Sequence, residues 1–283
     1  MATYTKLSIY ATEEQGEIIA AYLSEFPFDS FDYQEGVQGA YIPTNQVEEC
    51  RKEVEQMLEE EGFLNYFFEE VETENWNAIW ESDFEEVEVR GEVLIRAPFH
   101  QERPDYQGME VIIQPKMSFG TGHHCTTQLM IKSLLDGNIE NKRVLDMGSG
   151  TGVLAIVAAK LGAESVLAVE IDDMAEESVR ENIALNGVED KVKSVCGDAS
   201  AIEGREFDII LANINRNILL TDMKRYAATL SEGGELIMSG FLEEDIPLLL
   251  KKSKSLGLDR VGESSNNEWR AIRVQNRRNK VKN

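Results

Sequence analysis

The apolar run Val144-Leu-Asp-Met147 leads directly into Gly148-Ser-Gly-Thr-Gly152, and a helix-compatible run, Val153-Leu-Ala-Ile156, follows without a break. A strand that ends on closely spaced glycines and restarts as a helix describes a βα turn whose backbone can approach a ligand closely. The surrounding sequence fits that unit. From Met109 onward, strand-type runs at Val144–Met147, Val166–Val169, Val192–Cys196, Phe207–Ala212 and Glu235–Ser239 alternate with helical runs at Leu154–Leu161, Met174–Asn186 and Ile218–Leu230. Apolar strands separated by amphipathic helices predict an α/β fold: a mainly parallel sheet covered on both faces. Ligands of such sheets lie beyond the carboxyl ends of the strands, where this glycine loop falls.

The first 72 residues follow another rhythm. Lys6–Tyr10 alternates as a half-buried strand. Glu13–Glu25 carries Ile18, Ile19, Tyr22 and Leu23 on one helical face after a Thr12 cap. Phe31–Tyr33 and Val37–Ile42 flank Gly36 as a hairpin, Val47, Val54 and Leu58 mark a second helix, and Phe63–Val71 supplies a last strand. This βαββαβ order predicts a small ferredoxin-like α+β domain at 1–72. Residues 73–108 read as a linker region, with Trp76 and Trp80 on one face of a short helix and short strands at Val87–Val89 and Val93–Ala97. A larger domain spans 109–283.

Charge narrows the partners. Of 52 acidic and 28 basic side chains, 24 acidic and 5 basic ones lie in the first 100 residues, a net of −19 there. Such a segment repels phosphate backbones, so no direct nucleic-acid binding is expected, and it attracts a basic protein instead. The last eleven residues hold Arg273, Arg277, Arg278, Lys280 and Lys282 without an acid, and read as a solvated tail. Cys50, Cys125 and Cys196 are too scattered for a disulfide framework or a zinc knuckle. No membrane span or secretory signal is expected, which points to the cytoplasm.

Three further features carry chemistry. Val166–Val169 ends on Glu170, whose carboxylate would accept the hydroxyl protons of an adenosine ribose. Nicotinamide dinucleotides and S-adenosylmethionine share that arrangement. The dinucleotide fingerprint GxGxxG, however, would need glycine where Val153 stands, and the GxGxG spacing after Asp146 favours the methyl donor. Phe207–Ala212 ends on Asn213, whose uncharged amide oxygen can orient an attacking amine while stabilising its ammonium form less than a carboxylate would. Arg216, three residues on, replaces the aromatic residue that would stack a flipped base. Upstream, Phe119-Gly-Thr-Gly-His-His-Cys-Thr-Thr127 joins a strand, Val111–Gln114, to a helix, Gln128–Leu135. Its glycines would let the loop fold over a donor, and Thr126 or Thr127 would cap the helix. His123, His124 and Cys125 are consecutive and cannot converge on one ion, so no metal is expected.

Ser118–Thr127, Asp146–Gly152 and Ala212-Asn-Ile214 together resemble the PrmA family, bacterial methyltransferases of ribosomal protein L11. Trp76–Trp80, Ser239-Gly240 and Glu268-Trp269-Arg270 resemble further family positions, and the likeness covers nearly the whole chain. Cys125 stands where proline is common, and Glu170 where aspartate is frequent. The resemblance implies a Rossmann-like class I methyltransferase domain behind a substrate-recognition domain, in a monomeric enzyme that modifies lysine side chains and an N-terminal amine. It also implies that Thr127, Gly148, Glu170 and Asn213, with Gly120, Asp146 and Gly150, bind S-adenosylmethionine. Phe119 and Thr121 would then line the loop beside the reacting methyl group, with Asn213 as the catalytic amide.

Overall fold

Thr12 opens the first helix with a capping box: its hydroxyl accepts the Gln15 N–H while the Gln15 side chain accepts the Thr12 N–H at 2.9 Å. That reciprocal pair starts α1 (Glu13–Leu23) at the expected residue; such a cap contributes about 1 kcal/mol. The computed structural model describes residues 4–24, 26–28, 30–34, 36–71, 85–115 and 119–277. The chain forms two units, Met1–Phe84 and Glu85–Asn283. Trp76, Trp80, Ser118, Arg278, Lys280 and Lys282 lie outside the described residues.

In the first unit β1 (Tyr4–Tyr10), β2 (Ser30–Gln34), β3 (Val37–Pro43) and β4 (Tyr66–Val71) make an antiparallel sheet in the order β2-β3-β1-β4, joined through α1 and α2 (Thr44–Glu60). This is the ferredoxin-like order. Leu7 and Ile9 alternate inward against Ile19 and Leu23 of α1 and against Val47, Val54 and Leu58 of α2. Ile18 and Tyr22 were expected on the same buried face of α1, yet both stay exposed, because the sheet accommodates the narrower stripe of Ile19 and Leu23.

The second unit begins with a small sheet of β5 (Val87–Val89), β6 (Val93–Arg96) and β7 (Met109–Ile112). β5 pairs antiparallel and β7 parallel with β6, so residues read as linker join this unit's own sheet. A seven-stranded sheet follows in the order β10-β9-β8-β11-β12-β14-β13. Its members are β8 (Arg143–Met147), β9 (Ser165–Glu170), β10 (Val192–Cys196), β11 (Phe207–Asn213), β12 (Leu230–Leu242), β13 (Leu258–Asn266) and β14 (Trp269–Asn276). The strands β10 to β12 are parallel and the last two antiparallel. Arg273, expected in a solvated tail, sits on β14, where its guanidinium pairs with Glu235 and donates to the Ser133 carbonyl. β14 is an inner strand, so its backbone is committed through Asn276.

Strand alternation decides which side chains reach which face. Val144, Val166, Ala168, Ile209 and Leu211 pack under α3 (Cys125–Leu135), α4 (Val153–Lys160) and α5 (Asp173–Leu185). Their neighbours Leu145, Met147, Leu167, Val169 and Ile210 pack under α6 (Arg216–Thr229) and α7 (Ile246–Ser255). No helix among the described residues is long and apolar enough to cross a membrane.

Candidate active site

The glycine loop is fixed from three directions. Glu170 at the end of β9 accepts the Gly150 N–H at 2.8 Å, and its other oxygen accepts from Ile171 at 2.9 Å and Asp172 at 3.3 Å. Asn182 of α5 donates to the Thr151 carbonyl and accepts from Gln114, tying the loop to the segment that leads into Phe119. Thr151 donates its N–H to the Phe119 carbonyl and its hydroxyl to the Gly120 carbonyl. The upstream loop is therefore pinned onto the glycine loop, although nothing in their separation along the chain requires it.

Within that upstream loop His124, rather than either threonine, caps α3: its Nδ1 accepts the Thr126 N–H and lies 2.7 Å from the Thr126 hydroxyl. A ring nitrogen one residue before the helix reaches the free N–H groups as well as a hydroxyl does. The His124 ring also stands between Phe119 and Trp269 of β14, edge to face with both, at centroid distances of 5.2 and 4.8 Å. His123 turns the other way, bonding the Thr121 hydroxyl and the Glu85 carbonyl.

A cavity of about 890 Å³ opens at the carboxyl ends of the parallel strands. Phe119, Gly148, Gly150, Glu170 and Asn213 share its wall, so five of the expected site residues converge there. Gly120, Thr121, Thr127 and Asp146 lie outside the wall. Gly120 serves through its carbonyl, Thr121 through His123, and Thr127 is buried with an unpartnered hydroxyl. Asn213 is half-buried, and its amide oxygen has no partner. The cap of α6 is Asn215, which accepts from Ile218, so Asn213 is released from that duty. Gly240 lets the turn after Asn213 close on β12: a Cβ there would stand 2.5 Å from the Ile214 carbonyl oxygen.

Asp146 supports the loop from the opposite face of the sheet. Met147 takes the cavity side, so alternation turns Asp146 toward α4, where its carboxylate accepts the Ala155 N–H at 3.0 Å. Gly152 begins that helix without a side chain, and Asp146 supplies the cap. Burial pushes its carboxyl up to about 7, the Ala155 N–H pulls it down, and the Glu170 charge raises it further. Folding thus favours the protonated form, so stability is full in acid and falls as pH rises from 3.8 to about 7. Denaturant titrations of wild type and Asp146→Asn at pH 5 and pH 8 test this. The wild type loses ~2 kcal/mol relative to the variant, and equal pH slopes would remove the titration from Asp146.

Sequence reasoning passed over the rest of the wall. Asp198, just beyond β10, lies there with its carboxyl held below the usual range by hydrogen bonds from Ser200. Its position past a strand end was the signal. Ile171 and Met174 present exposed apolar side chains, and Ile218, Asp222 and Tyr226 form a stripe along α6. Their spacing of four was also readable within the helical run Ile218–Leu230.

Comparison with known proteins agrees with this architecture. The family model described as Ribosomal protein L11 methyltransferase (PrmA) matches residues 3–277. A ribosomal protein L11 methyltransferase of Porphyromonas gingivalis is 44% identical over 263 residues, covering 91% of this chain and 89% of that protein. A namesake from Bacteroides fragilis is 42% identical over 266 residues, covering 93% and 94%. The crystal structure of the ribosomal protein L11 methylase from Lactobacillus delbrueckii subsp. bulgaricus superposes with a TM-score of 0.64 at 28% identity, covering 69% of this chain and all of that one. With the model match running almost end to end, this chain belongs to the PrmA family of ribosomal protein L11 methyltransferases.

Proposed function

We propose that this chain transfers methyl groups from S-adenosylmethionine to lysine side-chain amines and the N-terminal amine of ribosomal protein L11, in the cytoplasm. One observation carries the reading: the buried, unpartnered amide oxygen of Asn213 stands in the same wall as Phe119, Gly148, Gly150 and Glu170. The residues fit the donor. Gly148 and Gly150 let the wall close against Ile214 and Phe119, where a Cβ would collide, and Glu170 lines the cavity as a prepared acceptor. Three backbone N–H groups already hold Glu170, leaving about one of its four acceptor sites. Gripping both ribose hydroxyls requires the longest bond, from Asp172, to yield.

S-adenosylmethionine supplies a methyl group already activated by its sulfonium. The protein's work is positioning and exclusion of water. The Asn213 oxygen accepts an N–H of the incoming amine and leaves its lone pair free. Being neutral, it favours ammonium less than a carboxylate would. Phe119, held in an aromatic row with His124 and Trp269, lines the cavity.

The first unit would recognise the substrate. Lys6, Ser8 and Tyr10 alternate on β1 away from the face that packs α1 and α2, and stand beside Phe67 and Glu69 of β4 on the opposite face of the sheet. The acidity of the first 100 residues would draw a basic protein to it. Purified chain, radiolabelled donor and total cell protein and RNA provide the test. A labelled band at ribosomal protein L11 is expected, with a Michaelis constant for that protein that rises about tenfold between 50 and 300 mM salt. Label entering RNA, or no labelled band, would refute the reading.

A further inference from the structure

Tyr226 is fully buried in the last turn of α6, it lines the donor cavity, and its hydroxyl makes no hydrogen bond to the protein. An unpartnered phenol in a core is costly unless something else meets it. Burial, followed by the Asp222 charge one turn earlier, raises the phenol's pKa, so the hydroxyl stays protonated and is available as a donor. Ile218, Asp222 and Tyr226 lie four residues apart and form one stripe, which carries the wall about 12 Å along the helix from its Asn213 end.

That depth fixes which end of a ligand Tyr226 serves. Asn213 and Phe119 mark the end where the amine arrives, and Glu170 marks the sugar. Beyond the sugar the wall is Gly197, Asp198 and Ala199, and α6 packs on the 3-10 turn Ala199–Ile202. The far end therefore joins apolar surfaces to two carboxylates, Asp198 and the Arg225-paired Asp222, and one phenol. An adenine has the matching chemistry: a flat apolar body, an exocyclic amine that donates and ring nitrogens that accept.

Building on the donor-site reading above, we infer that Tyr226 is a specificity residue for the donor's base, its hydroxyl donating to a ring nitrogen of adenine while Asp198 accepts from the exocyclic amine. A base without a ring acceptor at that position would leave the phenol as unsatisfied as it is in the free protein.

Calorimetry on the full chain tests this with S-adenosylhomocysteine and its 1-deaza, 3-deaza and 7-deaza analogues, each of which lacks one ring nitrogen. Tyr226→Phe should bind S-adenosylhomocysteine about tenfold more weakly, the loss expected for a buried neutral hydrogen bond. One deaza analogue should bind wild type and variant alike, while the other two show the full loss. The variant's melting temperature without ligand should match or exceed wild type, since no protein partner is lost. Unchanged affinity for S-adenosylhomocysteine would overturn the assignment, as would an equal loss on all four ligands. Failure of the wild type itself to bind S-adenosylhomocysteine would instead bring down the donor-site reading.

Discussion

Replacing Asn213 with alanine lowers methyl-transfer turnover by about 100-fold, while the Michaelis constant for the donor changes only a few-fold. The amide oxygen is buried and unpartnered, so its removal breaks no hydrogen bond in the protein and leaves a small void. The melting temperature should therefore stay near wild type, where a structural asparagine would lower it. Turnover falls because the attacking nitrogen loses the acceptor that aims its lone pair. Asn213→Asp provides the complementary measurement. A carboxylate there stabilises the ammonium form of the substrate, so the pH–rate profile should shift to higher pH. Near-wild-type turnover in the alanine variant would exclude Asn213 from the chemistry.

The elements nearest the chemistry could be read from the chain because each leaves a local mark. Strand alternation, glycine spacing and a polar residue at a strand end lie within a few positions of one another, so β8, β9 and β11 with their turns are specified locally. β13 and β14 are not. Leu258–Asn266 is mostly exposed and polar, and Arg273 resembles a tail residue until its partners Glu235 and the Ser133 carbonyl, remote in sequence, are brought beside it. The same limit applies within the site. Glu170, Gly148, Gly150 and Asn213 converge because one sheet edge collects strand ends, a rule that sequence periodicity supports. That Thr151 would bind the Phe119 loop and that Tyr226 would line the cavity depend on tertiary contacts between distant segments, whereas the His124 cap of α3 is local, made to Thr126 two residues on. Asp146 falls between these cases. Alternation along β8 already places it opposite Met147, so its role beneath the loop followed from the period once the cavity's face was known.

Gly150→Ala should be the most damaging small substitution in the molecule. A Cβ at that position would lie 2.1 Å from the backbone carbonyl oxygen of Phe119, and the residue holds φ +57°, which costs any L side chain. Phe119 cannot yield by turning a rotamer, because the atom in the way is its main chain. The loop must lift, and both Thr151 bonds to Phe119 and Gly120 lengthen or break with it. The expected cost is about 2–4 kcal/mol of stability in the second unit. Affinity for S-adenosylhomocysteine should fall more than about 100-fold, since the wall formed by Phe119, Gly150 and Glu170 loses its shape. Gly148→Ala is the control: its nearest obstacle is the Ile214 side-chain methyl at 2.4 Å, which can rotate away, so its loss should be several-fold smaller. Denaturant unfolding and calorimetry on the two variants measure both quantities. Equal effects at the two positions would mean that the contact between the loops does not hold the cavity in shape.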